Sequence, residues 1–377
     1  MPTIVVSAAR FRSMLANRHL TAEDAAERVT TSISLRALAS DDQPVEFTDL
    51  EALGKLFKRP WSCLLSDEEE VLPQPGRDNR THANQNAPAS AALLEEYEAA
   101  AALLEAVTDL FPGYGYQVPD ARITLETHAD RAAQEIRSFL KVSIDAQLEA
   151  KDDYAALRLW VGSLHQRGVY VLQRKLGDET IRAFSRAEEN QAVVVVDTAD
   201  TPYARIYSAI HEYCHVVLRN TGICDLDDHH SVERYCNEVA AAVLLPDALL
   251  DDERVGVRAA IAAGLDDEHL IALSRRYRVS QAALLIRLRD RGSIAQRLYD
   301  QLEMSRQARR PSGSSKGGGT YYSTAINRVG RRFARNIFGA IDEGTISRQD
   351  AGALLDVGEH SVDRFRRELF AGETGAP

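Results

Sequence analysis

The most restrictive feature of the sequence is the run SAIHEYCHVVLRN at residues 208–220, which has helical periodicity and contains the pattern His-Glu-x-x-His. An α-helix turns by about 100° per residue, so His211 and His215 lie about 40° apart, with Glu212 about 60° beyond His215. The three side chains therefore point to one side of the helix. Two imidazoles at this spacing can bind one Zn²⁺, and the glutamate then lies beside the remaining coordination position and its water.

A second helix supplies a candidate third ligand. The run SVERYCNEVAAAVLLP at residues 231–246 contains Glu233, and Asn237 lies four residues later on the same helical face. If Glu233 binds the metal, Asn237 can orient a histidine ligand through its other ring nitrogen. Glu238 is the alternative carboxylate and points to a different face. The competing interpretation is that both segments are ordinary amphipathic helices whose charged residues face water.

Other potential ligands near the motif are less favoured. Cys214 lies about 60° from His211 on the side away from the glutamate, which favours packing in the core over metal binding. Cys236, within the second helix, is expected to pack in the same way. His229 and His230 in the run DLDDHHS are expected to lie on a solvated loop.

The bulk composition is that of a folded protein, with 45% hydrophobic and 27% charged residues. A net charge of -11 argues against a surface built throughout to hold nucleic acid. The first residues do not have the pattern of a signal peptide, and no apolar run has the length of a membrane span. Four scattered cysteines without a CxxC pair do not predict a disulfide framework. We therefore expect a cytoplasmic protein that does not bind membranes.

A chain of 377 residues predicts two or three domains with linkers between them. The predicted segments are a helical, helix-turn-helix-like domain at 1–70, a linker at 71–90, a metallopeptidase-like domain at 91–255, a helix-turn-helix-like unit at 256–304, a linker at 305–319 and a C-terminal helical domain at 320–377. In the first domain, Thr21 and Thr48 are expected to be helix N-caps.

The fold class follows from three short β-type runs ahead of the motif helix, GVYVLQ, TIRAFSR and QAVVVVD at residues 168–173, 180–186 and 191–197. The order helix, small sheet and motif helix is that of an α+β metallopeptidase core. We therefore predict a mostly helical α+β fold with a zincin-like core. The run QAVVVVD is the candidate sheet edge for an extended substrate strand.

A basic block at residues 306–335 is the one feature that favours nucleic acid. It contains no acidic residue, and its cations are Arg306, Arg309, Arg310, Lys316, Arg328, Arg331, Arg332 and Arg335. A solvated linker and helix face is the alternative interpretation. Because the charges of residues 1–66 balance, we expect that part to recognise protein in preference to DNA.

The runs ARIYSAIHEYCHVVL and VERYCNEVAAAVLLP resemble the ImmA/IrrE family of metallopeptidases. TDLEALGKLFKRPWSCLL resembles the end of the repressor-like domain in longer members, and LIALSRRYRVSQAALLIRLRDRG resembles the helical unit that follows the peptidase. The resemblance implies that His211, His215 and Glu233 bind Zn²⁺ and that Glu212 is the catalytic base. It also implies a repressor-type DNA-binding protein as substrate, cleaved in a mobile-element, toxin-antitoxin or stress response. The alternative is a DNA-binding transcriptional regulator with a structural or vestigial zinc site.

Overall fold

The computed structural model describes residues 3–17, 20–57, 64–65, 90–111, 113, 115–178, 181–188, 190–219, 229–252, 256–309 and 320–371. The chain divides into two compact units, the first of residues 1–76 and 87–98 and the second of residues 77–86 and 99–377. The predicted linker at 71–90 lies outside the described residues except for Ser90. No helix in the described part of the chain is long and apolar enough to cross a membrane.

The described part of the first unit is a small helical fold with one antiparallel pair of strands. Its elements are β1 (Thr3–Val6), α1 (Ala8–Asn17), α2 (Ala22–Arg28), α3 (Leu35–Ser40), β2 (Gln43–Glu46) and α4 (Phe47–Phe57). β1 and β2 pair antiparallel, an arrangement that the predicted run of helices does not include. Their sheet lies beside a buried core in which the rings of Phe11 and Phe57 meet edge to face at 5.9 Å.

The two N-caps predicted in this unit have different outcomes. Thr21 is confirmed, because its side chain accepts a hydrogen bond from the Asp24 N–H while the Asp24 carboxylate accepts one from the Thr21 N–H. Thr48 is wrong as an N-cap. Helix α4 begins at Phe47, directly after β2, so Thr48 is already inside the helix.

The second unit is mostly helical and contains the second sheet. Helix α5 (Ala91–Leu110) starts in the first unit and ends in the second. The elements that follow are α6 (Ala129–Leu140), α7 (Ile144–Leu148), α8 (Asp153–Gln166), β3 (Tyr170–Arg174), β4 (Ala183–Glu188), β5 (Gln191–Asp197), α9 (Pro202–Arg219), α10 (His229–Leu244), α11 (Asp247–Leu250), α12 (Val257–Ala262), α13 (Asp267–Tyr277), α14 (Gln281–Asp290), α15 (Gln296–Ala308), α16 (Tyr321–Val329), α17 (Arg331–Asp342), α18 (Arg348–Leu354) and α19 (Val362–Ala371). The predicted mostly helical α+β class is confirmed.

The order of the strands corrects the predicted substrate edge. The sheet has the order β3-β5-β4, with β3 parallel and β4 antiparallel to β5. The run QAVVVVD forms β5, the central strand, and every residue of it is buried. A strand with a neighbour on each side has no edge to offer, so β4 takes the place of β5 as the candidate edge.

The motif helix α9 is buried on all sides. It begins with Pro202, whose missing N–H costs nothing at the first helical position, and residues 205–218 are all buried. Helices α8 and α10 and strands β4 and β5 pack around it. An amphipathic helix with a wet charged face is therefore the wrong description of this segment.

Helix α10 is held at its C-terminal end by side chains from three other helices. Arg137 donates to Val243 O at 2.7 Å, Gln147 donates to Leu244 O at 3.0 Å, and Arg287 donates to Leu245 O at 2.9 Å. The last carbonyls of a helix have no partner within it, so these bonds satisfy groups that are otherwise orphaned. They fix the position of α10 along its axis.

Most of the described arginines of the basic block form ion pairs or hydrogen bonds with other parts of the chain. Helix α15 continues to Ala308, so the predicted linker at 305–319 begins inside a helix. The acidic partners come from outside the block and form the pairs Arg306–Glu303, Arg309–Asp267 and Arg328–Asp356 at 2.5, 2.8 and 2.9 Å. Arg331 and Arg332 donate to the backbone carbonyls of Leu369 and His165. Arg310 and Lys316 lie outside the described residues.

The turn between α8 and β3 depends on a glycine, which generates a first prediction. Gly168 has φ +85°, and a Cβ at this position would lie 2.6 Å from Tyr116 Cα and closer still to Gly115 O. Gly264 has φ +90° but open space around it. We expect Gly264→Ala to lower the free energy of unfolding by about 1 kcal/mol, the cost of the left-handed backbone alone. Gly168→Ala should cost about 2 kcal/mol more, because backbone atoms cannot move aside as side chains do.

Urea denaturation of the two variants beside the parent chain measures this difference. Equal losses in the two variants would show that the close approach of residues 115–116 does not constrain the turn.

Candidate metal centre

Three side chains that can bind a metal converge between α9 and α10. The Nε2 atoms of His211 and His215 lie 3.1 Å apart. Glu233 Oε2 is 3.3 Å from His211 Nε2, and Glu233 Oε1 is 3.1 Å from His215 Nε2. Tetrahedral zinc with ligands at about 2.0–2.1 Å separates neighbouring ligand atoms by about 3.3 Å. The donor set and its spacing therefore fit a zinc ion.

The burial of these groups is what distinguishes the cluster from surface charges. His211 is 0% exposed and Glu212 is 1% exposed, and His215 is buried beside them. Buried polar groups are costly unless they are paired or bind a metal. Burial alone would raise the pKa of Glu233, but hydrogen bonds with His211 and His215 lower that pKa well below the ordinary carboxyl value. Glu233 is therefore present as the carboxylate, the form that binds metal.

Glu212 is held from the neighbouring sheet. The Ser185 hydroxyl, on strand β4, donates to Glu212 Oε2 at 2.8 Å. This bond fixes one carboxylate oxygen of the residue that follows the first histidine. Ser185 was not among the site residues predicted from the sequence. The signal that could have indicated it is a hydroxyl residue in the run TIRAFSR, directly before the buried strand.

Asn237 contacts the metal cluster through a tyrosine. Tyr207 donates its hydroxyl to Asn237 Oδ1 at 2.8 Å, and the Tyr207 ring lies 6.4 Å from the His211 ring. The predicted arrangement had Asn237 orient a histidine through its ring nitrogen. In the structure the Asn237 amide oxygen accepts from the Tyr207 hydroxyl instead.

Glu238 lies apart from the ligand cluster. Its carboxylate is 3.9 Å from Arg234 Nε, one turn back on the same helix. Burial and the nearby Asp290 raise the pKa of Glu238. Among the described residues, the group that can hold a metal is His211, His215 and Glu233.

The remaining sulfur and imidazole candidates do not join this group. Cys214 and Cys236 are buried free cysteines, and burial raises the pKa of the Cys214 thiol, which disfavours the thiolate that a metal would need. Helix α10 begins at His229, so the backbone of His229 and His230 is helical and not the expected loop. Cys63 and Cys224 lie outside the described residues.

Comparison with known proteins agrees with this geometry. Residues 164–289, about a third of the chain, match the Peptidase_M78 family model, described as the IrrE N-terminal-like domain. The matched segment contains the three-stranded sheet, the two helices of the metal cluster and helices α11 to α14. No curated protein matches the chain. The domain at residues 164–289 therefore supports a metallopeptidase-type function and agrees with the resemblance to the ImmA/IrrE family seen in the sequence.

Proposed function

We propose that the protein is a zinc-dependent endopeptidase that cuts a peptide bond in a protein substrate, a repressor-type DNA-binding protein, and thereby relieves repression. The observation that supports the enzymatic part is the convergence of buried His211 and His215 with half-buried Glu233, next to the buried carboxylate of Glu212 on the same helix. Buried polar groups cost free energy, which a bound metal would offset. The proposed substrate class rests on the family resemblance.

His211, His215 and Glu233 would hold the metal through the atoms that already converge. When bound, zinc polarises a peptide carbonyl and lowers the pKa of water at the open position. Glu212 accepts the proton of the attacking water and transfers it to the leaving amine. The hydrogen bond from Ser185 restricts rotation of the Glu212 carboxylate, so that this base meets the water in one orientation.

Strand β4 is the proposed docking edge for the substrate backbone. In the described part of the chain its ladder partner is β5 alone, and we propose its other edge for an extended peptide. β4 also carries Ser185, which contacts the catalytic base. A peptide added along β4 would run past Glu212.

The DNA-binding alternative receives less support from the structure than from the sequence. Its main feature was the basic block, and three of its arginines are paired with acids while two more donate to backbone carbonyls. Arginines paired with acids contribute little to phosphate binding. We propose that the first unit recognises protein, either the substrate or a second copy of the chain.

The metal assignment is tested by substitution. We expect the purified protein to bind one Zn²⁺ per chain, and His211→Ala, His215→Ala and Glu233→Gln to lower zinc affinity by at least about 100-fold, because two remaining ligands hold the ion weakly. Glu238→Gln is the matched control for the carboxylate and should keep full affinity. Competition with a chromogenic chelator measures the affinities. Full zinc in the histidine variants, or a loss confined to Glu238→Gln, would contradict the ligand set.

The reaction is tested by co-expression with a repressor-type DNA-binding protein as the candidate substrate. We expect a defined cut in that partner, lost on removal of zinc. Glu212→Gln should keep zinc and fold but reduce cleavage at least about 1,000-fold, since an amide cannot accept a proton from water. Mass spectrometry of the partner identifies the cut. Cleavage by Glu212→Gln at the parent rate would refute the mechanism.

Ser185 is a positioning residue in this mechanism. We expect Ser185→Ala to lower kcat about tenfold with little change in KM, because a rotating carboxylate is less often in the reactive orientation. Ser185→Thr keeps a hydroxyl and should restore most of the rate. Ser163→Ala removes a buried hydroxyl that donates to Trp160 O, away from the cluster, and serves as the control. Zinc content should be unchanged in all three variants, and a parent-like kcat in Ser185→Ala would remove the assigned role.

A further inference from the structure

A cavity of about 600 Å³ lies in the second unit, apart from the metal cluster. One face of α6 lines it, together with the junction of α10 and α11 and a side chain from α14. Small apolar residues form part of the wall, among them Ala133, Val142, Ala242 and Pro246. A cavity of this size accommodates a small organic molecule.

The charges that line the cavity are unequal. Three cations, Arg137, Lys141 and Arg287, face two acids, Asp130 and Asp247. Arg287 pairs with both acids, at 2.6 Å from Asp130 Oδ1 and 2.7 Å from Asp247 Oδ1. Neither Arg137 nor Lys141 forms an ion pair with any residue that the structure describes.

Arg137 is a buried cation with donor capacity to spare. It is 8% exposed, and its Nη1 donates to Gln147 Oε1 at 2.9 Å and to Val243 O at 2.7 Å. Its Nη2 is also buried and has no hydrogen-bond partner among the described residues. Burial lowers the pKa of Arg137 to about 10, so the guanidinium remains charged at neutral pH. A buried charge without a counter-ion costs free energy that a bound anion would offset.

Lys141 adds a second positive charge to the same wall, and its backbone has an unfavourable conformation. It is the C-cap of α6 and has φ +56°, a left-handed conformation in which glycine is favoured. Its position one turn beyond Arg137 places both cations on the face of α6 that lines the cavity.

We propose that this cavity binds a small organic monocarboxylate, with the carboxylate at Arg137 and Lys141 and the apolar body against the alanine, valine and proline wall. The guanidinium and ammonium groups supply the charge that a carboxylate requires. The two acids in the wall disfavour a dianion such as phosphate. This site is independent of the proposed peptidase activity.

The test uses benzoate, its neutral isostere benzamide and inorganic phosphate, each titrated into the full chain by calorimetry and by thermal shift. A ligand that binds only the folded state raises the midpoint of unfolding. We expect saturable binding of benzoate at least about tenfold tighter than benzamide, the value of a charge-assisted contact. Equal binding of benzamide, tighter binding of phosphate or no binding of benzoate would each overturn the proposal.

Two variants at the mouth of the cavity locate the site without disturbing the buried arginine. Lys141→Asn removes the charge but keeps a residue that tolerates the left-handed conformation, and should weaken benzoate about fivefold. Gln134→Glu, on the same face of α6, places a carboxylate beside the two cations and should abolish benzoate binding.

Exposed residues away from the cavity supply the matched controls. Lys151→Asn and Gln166→Glu make the same changes of charge elsewhere and should leave the benzoate affinity unchanged. Benzoate affinity that is the same in Lys141→Asn and Gln134→Glu as in the parent chain would place the binding elsewhere and refute the assigned site.

Discussion

Two buried imidazoles and a half-buried carboxylate meet at 3.1–3.3 Å beside the main hydrophobic core, and the packing of the second unit makes that convergence possible. Polar groups at this depth lose their hydration, so their mutual positions must be fixed well enough for a metal to compensate the loss. Helix α9 meets this requirement by being enclosed on every side, by α8, α10 and two strands. Its local spacing provides two ligands, and only the packing of α10 provides the third.

The position of α10 depends in part on a residue that the sequence assigned to a different segment. Arg287 belongs to the segment predicted as a separate helical unit at 256–304, yet it donates to the end of α10. Arg137 reaches the same helix end from α6. These bonds set where α10 lies along its axis and therefore where Glu233 stands relative to the histidines. Helices α6 and α14 therefore help to position Glu233 in the candidate metal centre.

Features that depend on short-range interactions could be predicted from the sequence, whereas features that depend on contacts between distant residues could not. The helical placement of His211 and His215, the strand at QAVVVVD and the cap at Thr21 depend on residues within one or two turns, and sequence periodicity reports them directly. The central position of β5 depends on its parallel pairing with β3, across a longer stretch of sequence than the neighbouring β4, and no local pattern distinguishes a central strand from an edge strand with the same apolar run. The contacts of Ser185 with Glu212 and of Asn237 with Tyr207 span 27 and 30 residues and were missed for the same reason.

The C-terminal helices bear on the proposed substrate edge, because they contact β3 and the end of α8. Gly330 lies so close to β3 that a Cβ there would be 2.9 Å from Val171 O, and Arg332 donates to His165 O at the end of α8. Asn336 adds a hydrogen bond to the Tyr170 hydroxyl. With β3 contacted by the C-terminal helices and β5 enclosed between its neighbours, β4 is the strand of this sheet that we propose for pairing with a peptide. The same strand holds Glu212 through Ser185, so a peptide paired with β4 would lie beside the element that positions the proposed base.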